Sequence, residues 1–92
     1  MVRQRQTLKA SFSMQDRSEH FAYCVQLFGG TTAASRRLGI DERALRRFIN
    51  GERPLGDGLL EDTATALRRL ISEATEAEGL ILAALGAKSN EP

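Results

Sequence analysis

The chain has no tryptophan, a single cysteine, a single histidine and two prolines, and aromatic residues make up only 5% of it. Each shortage excludes something. Cys24 alone cannot close an internal disulfide or supply a thiolate metal site. With His20 as the one imidazole, the common zinc-stabilised mini-domains are ruled out. His20 and Cys24 stand one helical turn apart, but two soft ligands make a poor site, so neither a metal nor a cofactor is expected. The lone histidine, with no Ser–His–Asp or Cys–His grouping and no glycine-rich phosphate loop, leaves no nucleophile or base, and an enzyme is not expected. No apolar run approaches the roughly 20 residues that span a bilayer. Arg3, Arg5 and Lys9 are not followed by the apolar stretch of a secretory signal. A cytoplasmic protein without membrane contact is the expectation.

What is present suffices for one small domain. Of 92 residues, 41% are hydrophobic, too many for a disordered chain, and the core must be aliphatic with four phenylalanines added. The net charge of +1 hides a strong asymmetry. Residues 1–56 carry ten Arg or Lys against five Asp or Glu, and residues 57–92 carry three against seven. A basic front and an acidic back point to an anionic partner at one end of the molecule.

Apolar residues recur at three and four, and nothing alternates with the period of a strand, so the chain is read as all-α with four or five helices. Met14, Ser18, Phe21, Val25 and Phe28 mark one face of a first helix. Ser13 and Asp16 form its capping box, and Gly29-Gly30 ends it. A short second helix spans about Thr32 to Leu38, capped by Thr31 or Thr32 and stopped at Gly39. Ile40 then points inward and Asp41 caps a third helix running to about Asn50, with Gly51 as its stop and Pro54 beyond. This helix turns Ala44, Leu45, Phe48 and Ile49 inward and Arg43, Arg46, Arg47 and Asn50 outward. Glu42 sits in its first turn and pairs with Arg46 at i, i+4. A long helical pattern follows from Asp57. Either it is continuous to Leu85, or Thr75 and Glu78 open a separate last helix near Gly79. The domain boundaries are set at 1–12 (a mobile basic arm), 13–74 (the folded domain), 75–86 (a C-terminal helix) and 87–92 (a frayed tail).

The span from Thr31 to Pro54 is helix, tight turn, helix. Ser35, four residues before the turn glycine, is small where two helices cross closely. The tract Thr31-Thr32-Ala33-Ala34-Ser35-Arg36-Arg37-Leu38-Gly39-Ile40-Asp41, followed by Phe48-Ile49-Asn50-Gly51-Glu52-Arg53-Pro54, resembles the helix-turn-helix of lambda repressor-like (Cro-type) transcriptional regulators. The likeness covers about residues 14–74. It implies a compact lambda repressor-like DNA-binding domain, here with a C-terminal helical extension, whose third helix enters the major groove. The residue types support that independently. Guanidinium groups suit the O6 and N7 acceptors of guanine and asparagine suits adenine, so Arg43, Arg46, Arg47 and Asn50 are the expected base-edge contacts. Thr31 and Thr32 at a helix start, with Arg36, Arg37 and Arg53 at the edges, are the expected phosphate contacts.

The expected function is therefore a small repressor or autoregulator that acts by occupying double-stranded DNA, of the kind found in phage, toxin–antitoxin or anti-CRISPR operons. The competing class is an antitoxin-like module that keeps the fold and neutralises a protein partner through its acidic back. One recognition helix reads about half a turn of DNA, so a homodimer on a palindromic operator is expected. Leu60, Leu67, Ala74 and Ile81 recur every seven residues, as do Ala64, Ile71 and Leu85, with Glu78 interrupting the second row. Leu67, Leu70, Ile71, Ala74, Leu80, Ile81 and Leu85 are the expected dimer interface, because they exceed what one small core can bury.

Overall fold

A computed structural model describes residues 13–89 and contains four α-helices. The basic arm expected over 1–12 and the last three residues lie outside the described residues. The first helix, α1, is Met14–Phe28; α2 is Thr31–Leu38; α3 is Glu42–Ile49; and α4 is Asp57–Ser89. No strand occurs among the described residues.

The helix ends follow from local chemistry. The Ser13 hydroxyl accepts from the Asp16 N–H at 3.1 Å and the Asp16 carboxylate accepts from the Ser13 N–H at 2.9 Å, a reciprocal box that satisfies two of the donors a helix start leaves open. Gly29 and Gly30 follow with φ of 114° and 109°, a sharp reversal that side-chain-bearing residues rarely adopt. Gly39 ends α2 at φ 68°. At α3 the Asp41 carboxylate accepts from the Arg43 N–H at 3.1 Å. One cap differs from expectation. Gly30, not Thr31 or Thr32, is the N-cap of α2, and it provides no side-chain bond to the first turn. The left-handed pair is needed to turn the chain, and that places glycine where a hydroxyl would otherwise stand.

The core lies where the first three helices meet the base of α4. It consists of Phe21, Cys24, Val25 and Phe28 from α1, Ala34 from α2, Leu45 from α3, Leu55 from the loop and Ala66 from α4. Leu38, Ile40, Phe48, Ile49, Leu59, Leu67 and Leu70 pack around it, partly buried. Burial of a large apolar side chain contributes about 1.5–3 kcal/mol, so the three filled completely, Phe21, Leu45 and Leu55, hold much of the fold. Leu55 lies in the loop before α4, yet it is only 1% exposed. Arg17 explains its depth, because its guanidinium donates to the Leu55 carbonyl at 2.9 Å and pairs with Asp57 at 3.0 Å, drawing the loop onto α1. Burial also pushes the Cys24 thiol pKa up.

The two alternatives for the C-terminal region resolve to one. α4 runs unbroken through Thr75, Glu78 and Gly79 and continues to Ser89, into the stretch expected to fray. Its first half, through Leu70, faces the core. From Ile71 to Ala87 every side chain is exposed, so this half does not fold back over the domain. The molecule is accordingly elongated, 60 × 35 × 17 Å. No helix among the described residues is long and apolar enough to cross a membrane.

Candidate nucleic-acid interface

The candidate site is built on α3. Leu45, with no exposed surface, fixes one side of this helix against the core, and Ala44, Phe48 and Ile49 flank it half-buried. The Phe48 ring meets that of Phe21 edge-on, with centroids 6.3 Å apart. Rotation about the helix axis is thereby set, and Arg43, Arg46, Arg47 and Asn50 are all exposed on the other side. Spacings of three, four and seven from Arg43 place them on one face over two turns. Arg46 pairs with Glu42 at 3.3 Å, as its i, i+4 spacing suggested. No described ion pair engages Arg43 or Arg47. Asn50 is the C-cap of α3, and its N–H donates to the Arg46 carbonyl at 2.9 Å.

Two hydroxyls hold this helix in place. Ser18 on α1 donates to the Phe48 carbonyl at 2.8 Å, beside the Gly51 N–H that reaches the same oxygen at 3.2 Å, and lies 3.3 Å from the carbonyl of Ile49. Ser35 on α2 donates to the Ile40 carbonyl and pins the turn between α2 and α3. In the sequence Ser18 counted only as a helix-face position and Ser35 only as a small residue. The signal that identifies them is their hydroxyl on an otherwise apolar face.

The expected phosphate contacts divide. At the start of α2, Thr31 is half-buried and Thr32 exposed, and the first turn has no side-chain cap to compete for its N–H groups. Arg36 is exposed. Arg53 lies with its guanidinium carbon 5.0 Å from the Phe48 ring centroid, a cation–π contact that holds it beside the C-terminal end of α3. Arg37 turns the other way. It pairs with Glu73 of α4 at 2.7 Å across a groove also lined by Asp62 and Arg69. The structure thus gives Arg37 a carboxylate partner, while Arg36 keeps its charge toward solvent.

Comparison with protein-family models, curated proteins and solved structures gives no match for this chain. The candidate site therefore rests on its own geometry.

Proposed function

We propose that the chain is a sequence-specific transcriptional regulator of the lambda repressor-like type, in which α2 and α3 form the helix-turn-helix and α3 reads the major groove. The observation that supports this most directly is the division of α3 into a fully buried Leu45 side and an exposed Arg43, Arg46, Arg47 and Asn50 side immediately after the Gly39 turn. A helix anchored in that way presents guanidinium and amide groups to base edges at fixed rotation. The uncapped start of α2 and the edge arginines Arg36 and Arg53 take phosphates and set the register. With no site for a small effector assigned, the protein acts by occupancy, as a cytoplasmic repressor or autoregulator in a phage, toxin–antitoxin or anti-CRISPR type operon. Two copies joined through α4 bind a palindromic operator, because one α3 covers too few base pairs to discriminate well.

Selection of bound sequences from random duplex DNA tests this. A two-fold symmetric consensus, bound with steep salt dependence, is the expected result. Recovery of no consensus, with salt-independent or no binding, overturns the reading. The exposed acidic half of α4, with Glu73, Glu76 and Glu78, favours one second reading, a module that neutralises a basic protein partner. The same experiment separates them, since such a module has no reason to retain DNA selectivity.

A further inference from the structure

α4 has two apolar edges. Leu59, Ala66 and Leu70 turn toward the domain core. A second stripe runs beside them at alternating spacings of four and three, from Leu60 through Ala64, Leu67 and Ile71 to Leu85. Leu60 and Leu67 are half-buried where the domain covers one flank of it. Beyond them Ile71, Leu80, Ile81, Leu82 and Leu85 are each between 55% and 68% exposed. That spacing averages 3.5 residues, the period of a left-handed coiled-coil seam. The exposed half of α4 also contains Gly79 and Gly86, and an isolated helix of that length with interior glycines is marginal in water. Burial of the exposed leucines against a second surface would offset the cost of these glycines.

We propose, building on the dimer reading above, that this stripe packs against the same stripe of a second copy in the antiparallel direction, with the two-fold axis crossing α4 between Ser72 and Glu73, and that Glu78 sets the direction. Glu78 is the only charged residue in the stripe. Parallel, in-register pairing stacks each residue on its own copy. Two Glu78 carboxylates then share one apolar layer, a like-charge contact with a desolvation cost added. Antiparallel pairing about that axis is self-complementary. Leu60 meets the partner's Leu85, Ala64 meets the partner's Ile81, and Ile71 meets the partner's Ala74. Glu78 meets the partner's Leu67 and lies next to the partner's Arg68, which neutralises it. The arrangement also sets the two DNA-reading domains at opposite ends of the pair, with the two copies of Ala64 about 26 Å apart along the axis at 1.5 Å per residue.

Cysteine cross-linking of the full chain decides the direction. Native Cys24 is 2% exposed and does not compete. Ala64→Cys and Ile81→Cys proteins, each alone, are expected to give no cross-linked dimer under mild oxidation, and their mixture is expected to give one. Sedimentation equilibrium supplies the second measurement. Glu78→Leu is expected to tighten self-association by about tenfold or more. Arg68→Glu is expected to weaken it, and Arg68→Glu combined with Glu78→Lys to restore it. If Ala64→Cys and Ile81→Cys each cross-link to themselves, the antiparallel direction is overturned while the dimer stands. If neither the parent nor Glu78→Leu associates at hundreds of micromolar, the dimer and this inference fall together, and DNA binding by the monomer stays separately measurable.

Discussion

Ser18 on α1 and Phe48 on α3 are joined by a hydrogen bond of 2.8 Å from hydroxyl to carbonyl, thirty residues apart in the chain. This bond ties the end of the proposed reading helix to the core helix. It joins the Gly51 N–H, which reaches the same carbonyl at 3.2 Å, at the end of a helix whose last carbonyls have no following turn. Ser18→Ala is expected to cost about 1–2 kcal/mol in chemical denaturation, the penalty for losing one partner of a part-buried pair. Specific DNA affinity should fall along with it, since α3 loses a fixed end. Unchanged stability would show that water replaces the hydroxyl at no cost.

Leu45 and Phe48 both face inward from α3, but to different depths. Leu45 is wholly buried, whereas Phe48 keeps part of its ring exposed beneath Arg53. Leu45→Ala is expected to destabilise by roughly 2–5 kcal/mol, enough to unfold much of a domain this small. Phe48→Ala is expected to cost less than full burial of a phenylalanine predicts, because solvent already reaches the site. Urea denaturation of both variants checks the order. Phe48→Ala melting below Leu45→Ala would place the weight of the α3 contact on the ring.

The residues that make the helices were legible because their reasons are local. Gly29, Gly39 and Gly51 stop helices through a left-handed conformation available to glycine, and all three adopt it. The Ser13–Asp16 box and the Asp41 cap need only three or four residues to be recognised. The Leu45 side and the arginine side of α3 followed from a spacing of 3.6. The rest depended on contacts distant in the chain. Arg17 reaches Leu55 and Asp57 across 38 and 40 residues, and no local pattern points there. Arg37 reads as one more basic edge residue until α4 brings Glu73 against it. Gly79 invites a break, but its penalty of about 1 kcal/mol is small against the helix-forming leucines and alanines on both sides, and α4 continues through it.

Glu73 and Arg37 bear directly on the DNA reading, since the carboxylate occupies one of the expected phosphate contacts at 2.7 Å. Glu73→Gln is expected to release Arg37, raise affinity for DNA of any sequence, and steepen the dependence of log K on log salt by about one. Loss of the exposed pair should change stability by less than about 1 kcal/mol. Arg36→Ala is expected to do the opposite, lowering affinity evenly across sequences and reducing the salt slope by about one. Titrations of a fixed duplex at several salt concentrations give both numbers. A flat response to Glu73→Gln would mean that Arg37 stays clear of the duplex even when freed.

Cys24 gives a pH prediction with a definite sign. Burial disfavours its thiolate, so its folded pKa is raised above the unfolded value. Below the ordinary thiol range both states hold the proton and the group contributes no pH dependence. As pH rises through that range, the unfolded chain releases a proton that the folded chain keeps, and stability declines. At neutral pH alkylation of the native protein is expected to be at least about a hundredfold slower than in denaturant, because it requires opening of the core. Equal rates in the two conditions would show that the α1 face carrying Cys24 opens freely.

The last prediction concerns the arginine face itself. Arg43 and Arg47 carry no described ion pair, whereas Arg46 must leave Glu42 before it can reach a base. An exposed i, i+4 pair of that kind contributes only about 0.3–0.5 kcal/mol, so the separation is small against a two-pronged contact to guanine. Arg43→Ala is therefore expected to cost about 1–3 kcal/mol on the selected operator and to relax the preference at one base pair. Arg46→Ala is expected to cost a few tenths less, and Glu42→Gln to strengthen binding by a similar few tenths. On DNA of unrelated sequence the base-specific part of each effect should vanish, leaving only the smaller electrostatic change that one altered charge makes to the salt-dependent affinity. Competition binding at fixed salt, with single-base operator variants, reads the position that each arginine governs. If Arg43, Arg46 and Arg47 are removed together and the operator is still preferred over random DNA, α3 is not the reading helix, and the selectivity must come from another element.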